Sequence, residues 1–138
     1  MMGSQKILYV DDNVKTRKLL RGFLEDSGFE VSDTEDPFEA MEMMGNGSFH
    51  LALLDYQMPQ LSGARLAEML KSMSPDLPVV LISGLAFLPP EDSIWVDVHV
   101  GRGSTLDELV DTIRIQLSSR PHQLSFGPKT YMIRPDST

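Results

Sequence analysis

The sequence predicts a doubly wound α/β domain: five parallel strands in the order 2-1-3-4-5, helices on both faces, and a shortened fourth helix. Two observations predict it. Short apolar runs alternate with longer segments whose apolar residues repeat at helical spacing. The strand runs around residues 6–10, 51–54 and 79–82 are nearly continuous in apolar residues, as strands covered on both faces must be. Right-handed crossovers are expected between successive strands.

Lys6–Val10 is the first strand. Val14–Ser27 follows as a helix carrying Leu19, Leu20, Phe23 and Leu24, and Gly28 stops it. Phe29–Ser32 is the second strand. Pro37 opens a short helix, Pro37–Met44, closed by Gly45, Asn46 and Gly47. Leu51–Leu54 is the third strand and ends on Asp55. Leu61–Met73 is a helix with Leu61, Leu66, Met69 and Leu70 along it. Pro78 precedes the fourth strand, Val79–Ile82. Gly84–Val96 contains Pro89 and Pro90, so a fourth helix there must be short and start near Pro90. Asp97–Val100 is the fifth strand. Leu106–Leu117 is the last helix, with Leu106, Leu109, Val110, Ile113 and Leu117 on one face. From Ser118 onward, Pro121, Gly127, Pro128 and Pro135 occur without periodicity. The expected division is one domain over residues 5–119 and a C-terminal tail over 120–138.

Composition narrows the function. Twenty acidic residues against twelve basic ones leave a net charge of −8. That disfavours phosphate backbones and anionic membranes and suits cations or basic partners. With no cysteine, disulfides, thiolate metal sites and cysteine nucleophiles are excluded. No apolar run approaches ~18 residues, so no membrane span is expected. The N-terminus lacks a basic stretch followed by an apolar core, which makes a cytoplasmic location the expectation.

The informative residues lie where strands end. Asp11 and Asp12 follow the first strand and Asp55 closes the third. In the order 2-1-3-4-5 these strands are neighbours, and their connections leave to opposite faces, opening a crevice at the carboxyl ends. Three carboxylates converging there repel, and a divalent cation is the usual remedy. Oxygen ligands without Cys or His favour Mg²⁺ or Mn²⁺ over zinc. Ser83 ends the fourth strand on the same rim, and Arg102 follows the fifth. Taken singly, each aspartate also reads as a helix N-cap. Together, with a hydroxyl and a cation at two further strand ends, capping does not account for them.

The stretches ILYVDDN (Ile7–Asn13), LLDYQMPQLSG (Leu53–Gly63), VVLISG (Val79–Gly84) and GRGSTLDELVDTI (Gly101–Ile113) resemble the receiver domain of two-component response regulators, a flavodoxin-like fold. The resemblance covers about residues 6–118. It implies that Asp55 is the phosphoacceptor. It implies that Asp11, Asp12, Asp55 and the backbone carbonyl of Gln57 hold Mg²⁺, and that Ser83 is the hydroxyl that moves to meet the phosphoryl group. It implies a histidine kinase or histidine phosphotransfer protein as donor, and a downstream protein the sequence does not name. Members often form homodimers through helix four, strand five and helix five, a face altered here. Gly63 is expected to permit a tight turn opening the third helix, Pro59 to shape the loop after the acceptor, and Met58 to fill core.

Two positions depart from the family pattern. Its Lys-Pro at the end of strand five is Arg102-Gly103 here, anchored by Leu109 seven residues later, and no lysine lies between Lys71 and Lys129. The cis bond before that proline is expected to be lost. Arg102 either simply keeps the positive charge or, being planar and forked, alters the switch. The rotating aromatic residue three positions earlier is His99, which either rotates and titrates similarly or is a strand-end histidine with no special role. His50 and His122 belong to no apparent site, and Trp95 is either core or a partner contact.

The expectation is a stand-alone phosphorylatable switch that is not an enzyme. The alternative is a pseudo-receiver, a phosphorylation-independent interaction module. A haloacid-dehalogenase-type phosphatase is disfavoured because Asp11-Asp12-Asn13-Val14 does not fit its DxDx[TV] motif. A flavin binder is disfavoured because the loop after strand one is acidic.

Overall fold

The computed structural model describes residues 4–118. Five parallel strands form one sheet in the order β2-β1-β3-β4-β5. They are β1 (Lys6–Val10), β2 (Glu30–Thr34), β3 (Leu51–Asp55), β4 (Val79–Ser83) and β5 (Val98–Gly101). Between and after them run α1 (Val14–Asp26), α2 (Pro37–Asn46), α3 (Gly63–Met73), α4 (Pro90–Ser93) and α5 (Leu106–Ser118). The expected tail lies outside the described residues.

Period-two alternation along the strands divides the core into two layers. Ile7, Tyr9, Leu51, Leu53, Val80, Ile82 and Val100 face α1 and α5, meeting Leu20, Leu24, Leu109, Val110 and Ile113. Leu8, Val10, Ala52, Leu54, Val79 and Leu81 face α2 and α3, meeting Ala40, Met44, Leu66 and Leu70. Burying both faces of the central strands removes apolar area worth roughly 25 cal/mol per Å² from water.

Local chemistry sets the boundaries and corrects several expectations. Gly28 adopts φ +102°, the left-handed conformation that lets the chain leave α1. The second strand is Glu30–Thr34 rather than Phe29–Ser32. It runs on through polar Asp33 and Thr34 because Arg17 and Arg21 of α1 both pair with Asp33, while Thr34 bonds Glu39. Leu19 is 60% exposed, so the buried stripe of α1 is Leu20 and Leu24, with Phe23 half-buried. The fifth strand starts at Val98 rather than Asp97. Asp97 instead accepts the Val79 N–H at 2.7 Å and Lys71 Nζ at 2.6 Å, tying β4 to α3 from below the strand. Trp95 packs half-buried against the α2–α3 layer, and Met58 is buried in it. His50 accepts the Lys6 N–H through Nδ1 at 2.9 Å. No cis peptide occurs among the described residues.

The third helix begins at Gly63, not Leu61, because Ser62 is its N-cap and accepts the Arg65 N–H at 3.2 Å. Gly63 does not serve a turn, as its φ is not positive. It serves a close approach: an added Cβ would stand 2.3 Å from the Asp55 carbonyl oxygen and 2.8 Å from Leu81 Cδ1. Backbone cannot give way as a side-chain tip can. Gly63→Ala is therefore expected to destabilise the protein by about 1–3 kcal/mol by overpacking. A change under about 0.5 kcal/mol in urea unfolding, the size of an ordinary surface substitution, would contradict the close-approach account.

Candidate functional site

The helix caps next to the strand ends are supplied by other residues. Asn13 caps α1, its side chain accepting the Thr16 N–H at 2.9 Å, and Ser62 caps α3. Asp11, Asp12 and Asp55 are thereby left for something else. β1 and β3 are hydrogen-bonded neighbours with Val10 opposite Leu54, which sets Asp11 and Asp55 side by side at the carboxyl rim. Each of the three aspartates offers an oxygen within 4.8 Å of the others. Asp11 and Asp55 are buried and Asp12 is exposed, so the cluster is a buried pair with one arm in solvent. An all-oxygen set of this charge fits a hard divalent cation such as Mg²⁺ or Mn²⁺.

Around the cluster, Asp12, Tyr56, Gln57, Met58, Pro59 and Ser62 line one shallow depression. Gln57 thus lines the same depression as Asp12. Ser83 is completely buried at the end of β4, and its Oγ accepts the Leu85 N–H at 2.8 Å. The β3–β4 register pairs Asp55 with Ile82, so Ser83 sits one step further along the same rim. Next to it, the Cβ position of Gly84 meets nothing within 4 Å.

Arg102 turns back into the pocket. Its backbone N–H donates to the Ser83 carbonyl at 2.9 Å. Its Nη2 donates to Asp55 Oδ1 at 2.5 Å. Burial is the main influence on the Asp55 carboxyl and raises it above 3.8; Arg102 opposes this, while Asp11 and Asp12 reinforce it. The pocket therefore favours an uncharged or charge-compensated Asp55.

His99 lies opposite Leu81 in the β4–β5 register, half-buried, with a buried Nε2 that has no hydrogen-bond partner. Burial lowers its imidazole below 6.5, with the Ser83 backbone opposing.

Three participants were not singled out in the sequence. Tyr9 donates its hydroxyl to Asp11 Oδ2 at 2.8 Å in the core, and burial followed by the Asp11 charge pushes the phenol up. Arg17 Nη1 donates to the Asp11 carbonyl at 2.9 Å. Tyr56 donates to Asp92 of α4 at 2.5 Å, which holds its phenol up at about 12. For Tyr9 a signal existed: strand alternation puts residues 9 and 11 on the same face. For Arg17 and Tyr56 none did: no spacing rule aims an α1 side chain back at the Asp11 carbonyl, and Tyr56 reaches Asp92 across the fold.

Comparison with known proteins bears on this geometry. The family model for the response regulator receiver domain matches residues 7–89. The chain is 33% identical over 78 residues to the response regulator MprA of Mycobacterium sp. (strain KMS), which covers 56% of this chain. It spans about a third (34%) of that relative's length. It is 25% identical over 119 residues to the polar-differentiation response regulator DivK of Brucella ovis, covering 83% of this chain and 97% of DivK. Among solved structures it is similar to response regulator TrrA of Thermotoga maritima. TrrA in complex with Mg²⁺-BeF aligns with TM-score 0.76 and 27% identity, over 81% of this chain and 98% of that one. TrrA in complex with the histidine kinase ThkA aligns with TM-score 0.77 and 29% identity, over 83% and 99%.

Proposed function

The chain belongs to the response regulator receiver domain family, and from that premise we propose that it is a phosphorelay switch that accepts a phosphoryl group on Asp55. The observation that carries this is the pair of buried aspartates, Asp11 and Asp55, brought with Asp12 within 4.8 Å of one another at the carboxyl rim. The donor is a histidine kinase or histidine phosphotransfer protein; the similarity to TrrA, solved with the kinase ThkA, supports that class. The chain turns over no small-molecule substrate of its own and acts in the cytoplasm on a downstream protein. Among the described residues, no helix is long and apolar enough to cross a membrane.

Asp11, Asp12, Asp55 and the backbone carbonyl of Gln57 would hold Mg²⁺ or Mn²⁺. When bound, the cation neutralises transferring phosphoryl oxygens and holds donor and acceptor in line. The chain's own residues do the rest. An oxygen of Asp55 bonds to phosphorus as the P–N bond of phosphohistidine breaks. The electron pair leaves with the imidazole nitrogen, which takes a proton from solvent. Asp55 must be ionised to attack, so Arg102, already paired with it, favours the reactive form. Ser83 Oγ keeps its proton free while accepting from Leu85, and can donate it to a phosphoryl oxygen. The open space at Gly84 admits that group.

The test is incubation with acetyl phosphate or a small phosphoramidate, read by intact mass. The expected result is a gain of one phosphoryl group with Mg²⁺ and none with chelator. A gain indifferent to chelator would defeat the cation-dependent mechanism. No gain under any condition would defeat the switch.

A further inference from the structure

We propose that Tyr9 is a positioning residue for the divalent cation: its buried hydroxyl fixes the rotamer of Asp11 and thereby sets how tightly the acidic cluster holds Mg²⁺. This rests on reading the cluster as a metal site.

Tyr9 is fully buried, and its ring lies in the layer shared with Leu20, Leu24 and Leu53. Phenylalanine would fill that layer as well and carry no polar atom into it. The structure instead places a hydroxyl there, on a buried oxygen of the cluster: Tyr9 Oη donates to Asp11 Oδ2 at 2.8 Å. The other oxygen of Asp11, Oδ1, accepts the Asn13 N–H at 2.9 Å. The main chain of the same residue is held by Arg17 Nη1 at 2.9 Å. Asp11 is thus fixed at both carboxylate oxygens and at its carbonyl.

Such fixing matters for a ligand that is wholly inside the protein. Each carboxylate oxygen carries two lone-pair sites, so the phenol bond leaves Asp11 able to ligate directly or through water. A tyrosine ring has two side-chain torsions, both locked here by packing, so the orientation of Asp11 is set from β1 before any ion arrives. Partners of metal ligands that fix orientation in this way typically account for ten- to a hundredfold in metal affinity.

The test is Mg²⁺ titration of the full chain, followed by the amide NMR shifts of Asp12, Asn13 and Gln57, for the natural protein and Tyr9→Phe. The expected result is affinity weakened about tenfold or more in Tyr9→Phe, with the amide spectrum of the metal-free variant still that of a folded chain. A tyrosine that only filled the core would lower the melting temperature when trimmed and leave the affinity unchanged; that result overturns the proposal. Absence of Mg²⁺-dependent shifts in the natural protein overturns the metal reading itself and Tyr9's role with it. A measurement on the unsubstituted chain stands if Tyr9→Phe does not fold. The ¹³C signal of Tyr9 Cζ should move with the same Mg²⁺ midpoint as the amides, and a Cζ signal indifferent to saturating Mg²⁺ overturns the proposal.

Discussion

Asp55→Asn is expected to abolish phosphoryl uptake and to melt at a higher temperature than the natural protein at neutral pH without metal. The first effect is chemical, since a carboxamide lacks the anionic oxygen that attacks phosphorus. The second follows from linkage. Burial, reinforced by Asp11 and Asp12, raises the Asp55 carboxyl above its ordinary 3.8 despite Arg102. An acid raised in the folded state holds its proton more tightly there than in the unfolded chain. Its contribution to stability is complete below 3.8 and is lost as pH rises through the folded value. Above that value, ionised Asp55 weighs against the fold, and asparagine removes the weight. The advantage of the variant should therefore narrow as pH falls toward 3.8. Intact mass and thermal melts across pH check the two halves separately. Phosphoryl uptake that survives in Asp55→Asn would move the acceptor elsewhere. A lower melting temperature at neutral pH would mean that the Arg102 pair outweighs burial.

Arg102→Lys is expected to enlarge the conformational response while leaving phosphoryl uptake in place. The pocket holds three carboxylates, a divalent cation offsets two charges, and a phosphoryl group adds roughly two more at neutral pH. A cation beside Asp55 is therefore needed more after phosphorylation than before. Arg102 supplies it, but already donates to Asp55 Oδ1 at rest, through Nη2 at 2.5 Å. Its side chain is 45% exposed, so solvent screens the pair, yet the forked head must still be re-seated when the acceptor is modified. Breaking that contact opposes the shift at Ser83 and His99. Lysine, a compact donor on a flexible stem, re-seats more readily. The measurement is the NMR shift of β4 and β5 amides on adding beryllofluoride with Mg²⁺, larger in Arg102→Lys than in the natural chain. Equal shifts at saturation would reduce Arg102 to a plain charge substitute.

The central strands, the helix stop at Gly28 and the shortened α4 were legible because each follows from residues close in sequence, whereas α2 runs on through Gly45 and Asn46 to a cap at Gly47, past the stop expected after Met44. Apolar runs mark strands buried on both faces, and the double proline at 89–90 leaves little length for a helix. The gathering of Asp11, Asp12 and Asp55 was legible through topology, since the 2-1-3-4-5 order sets β1 against β3. The end of β2 was not, because the two arginines that neutralise Asp33 sit a helix away. Nor was the reason for Gly63, which depends on Asp55 and Leu81 crossing at one point in space. Arg102 pairs at rest with Asp55, a choice set by distances that no spacing rule encodes.

The four residues of α4 include none that is buried, and no side chain caps its start. Leu85, Phe87 and Ile94 around it stand exposed. A single turn cannot sustain itself, because helix nucleation is unfavourable and propagation is too short to offset it. What holds it in place includes one bond from the neighbour of the acceptor, Tyr56 to Asp92. The single turn of α4 is therefore expected to open at a lower free energy than the sheet, while Val96 behind it stays in the core. The amides of α4 should exchange with solvent by local opening, and those of β1 and β3 only on global unfolding. The Tyr56–Asp92 bond makes the residue next to Asp55 the point at which the end of β3 and α4 touch, so a change in the backbone at Asp55 should be felt as a change in how firmly α4 is held.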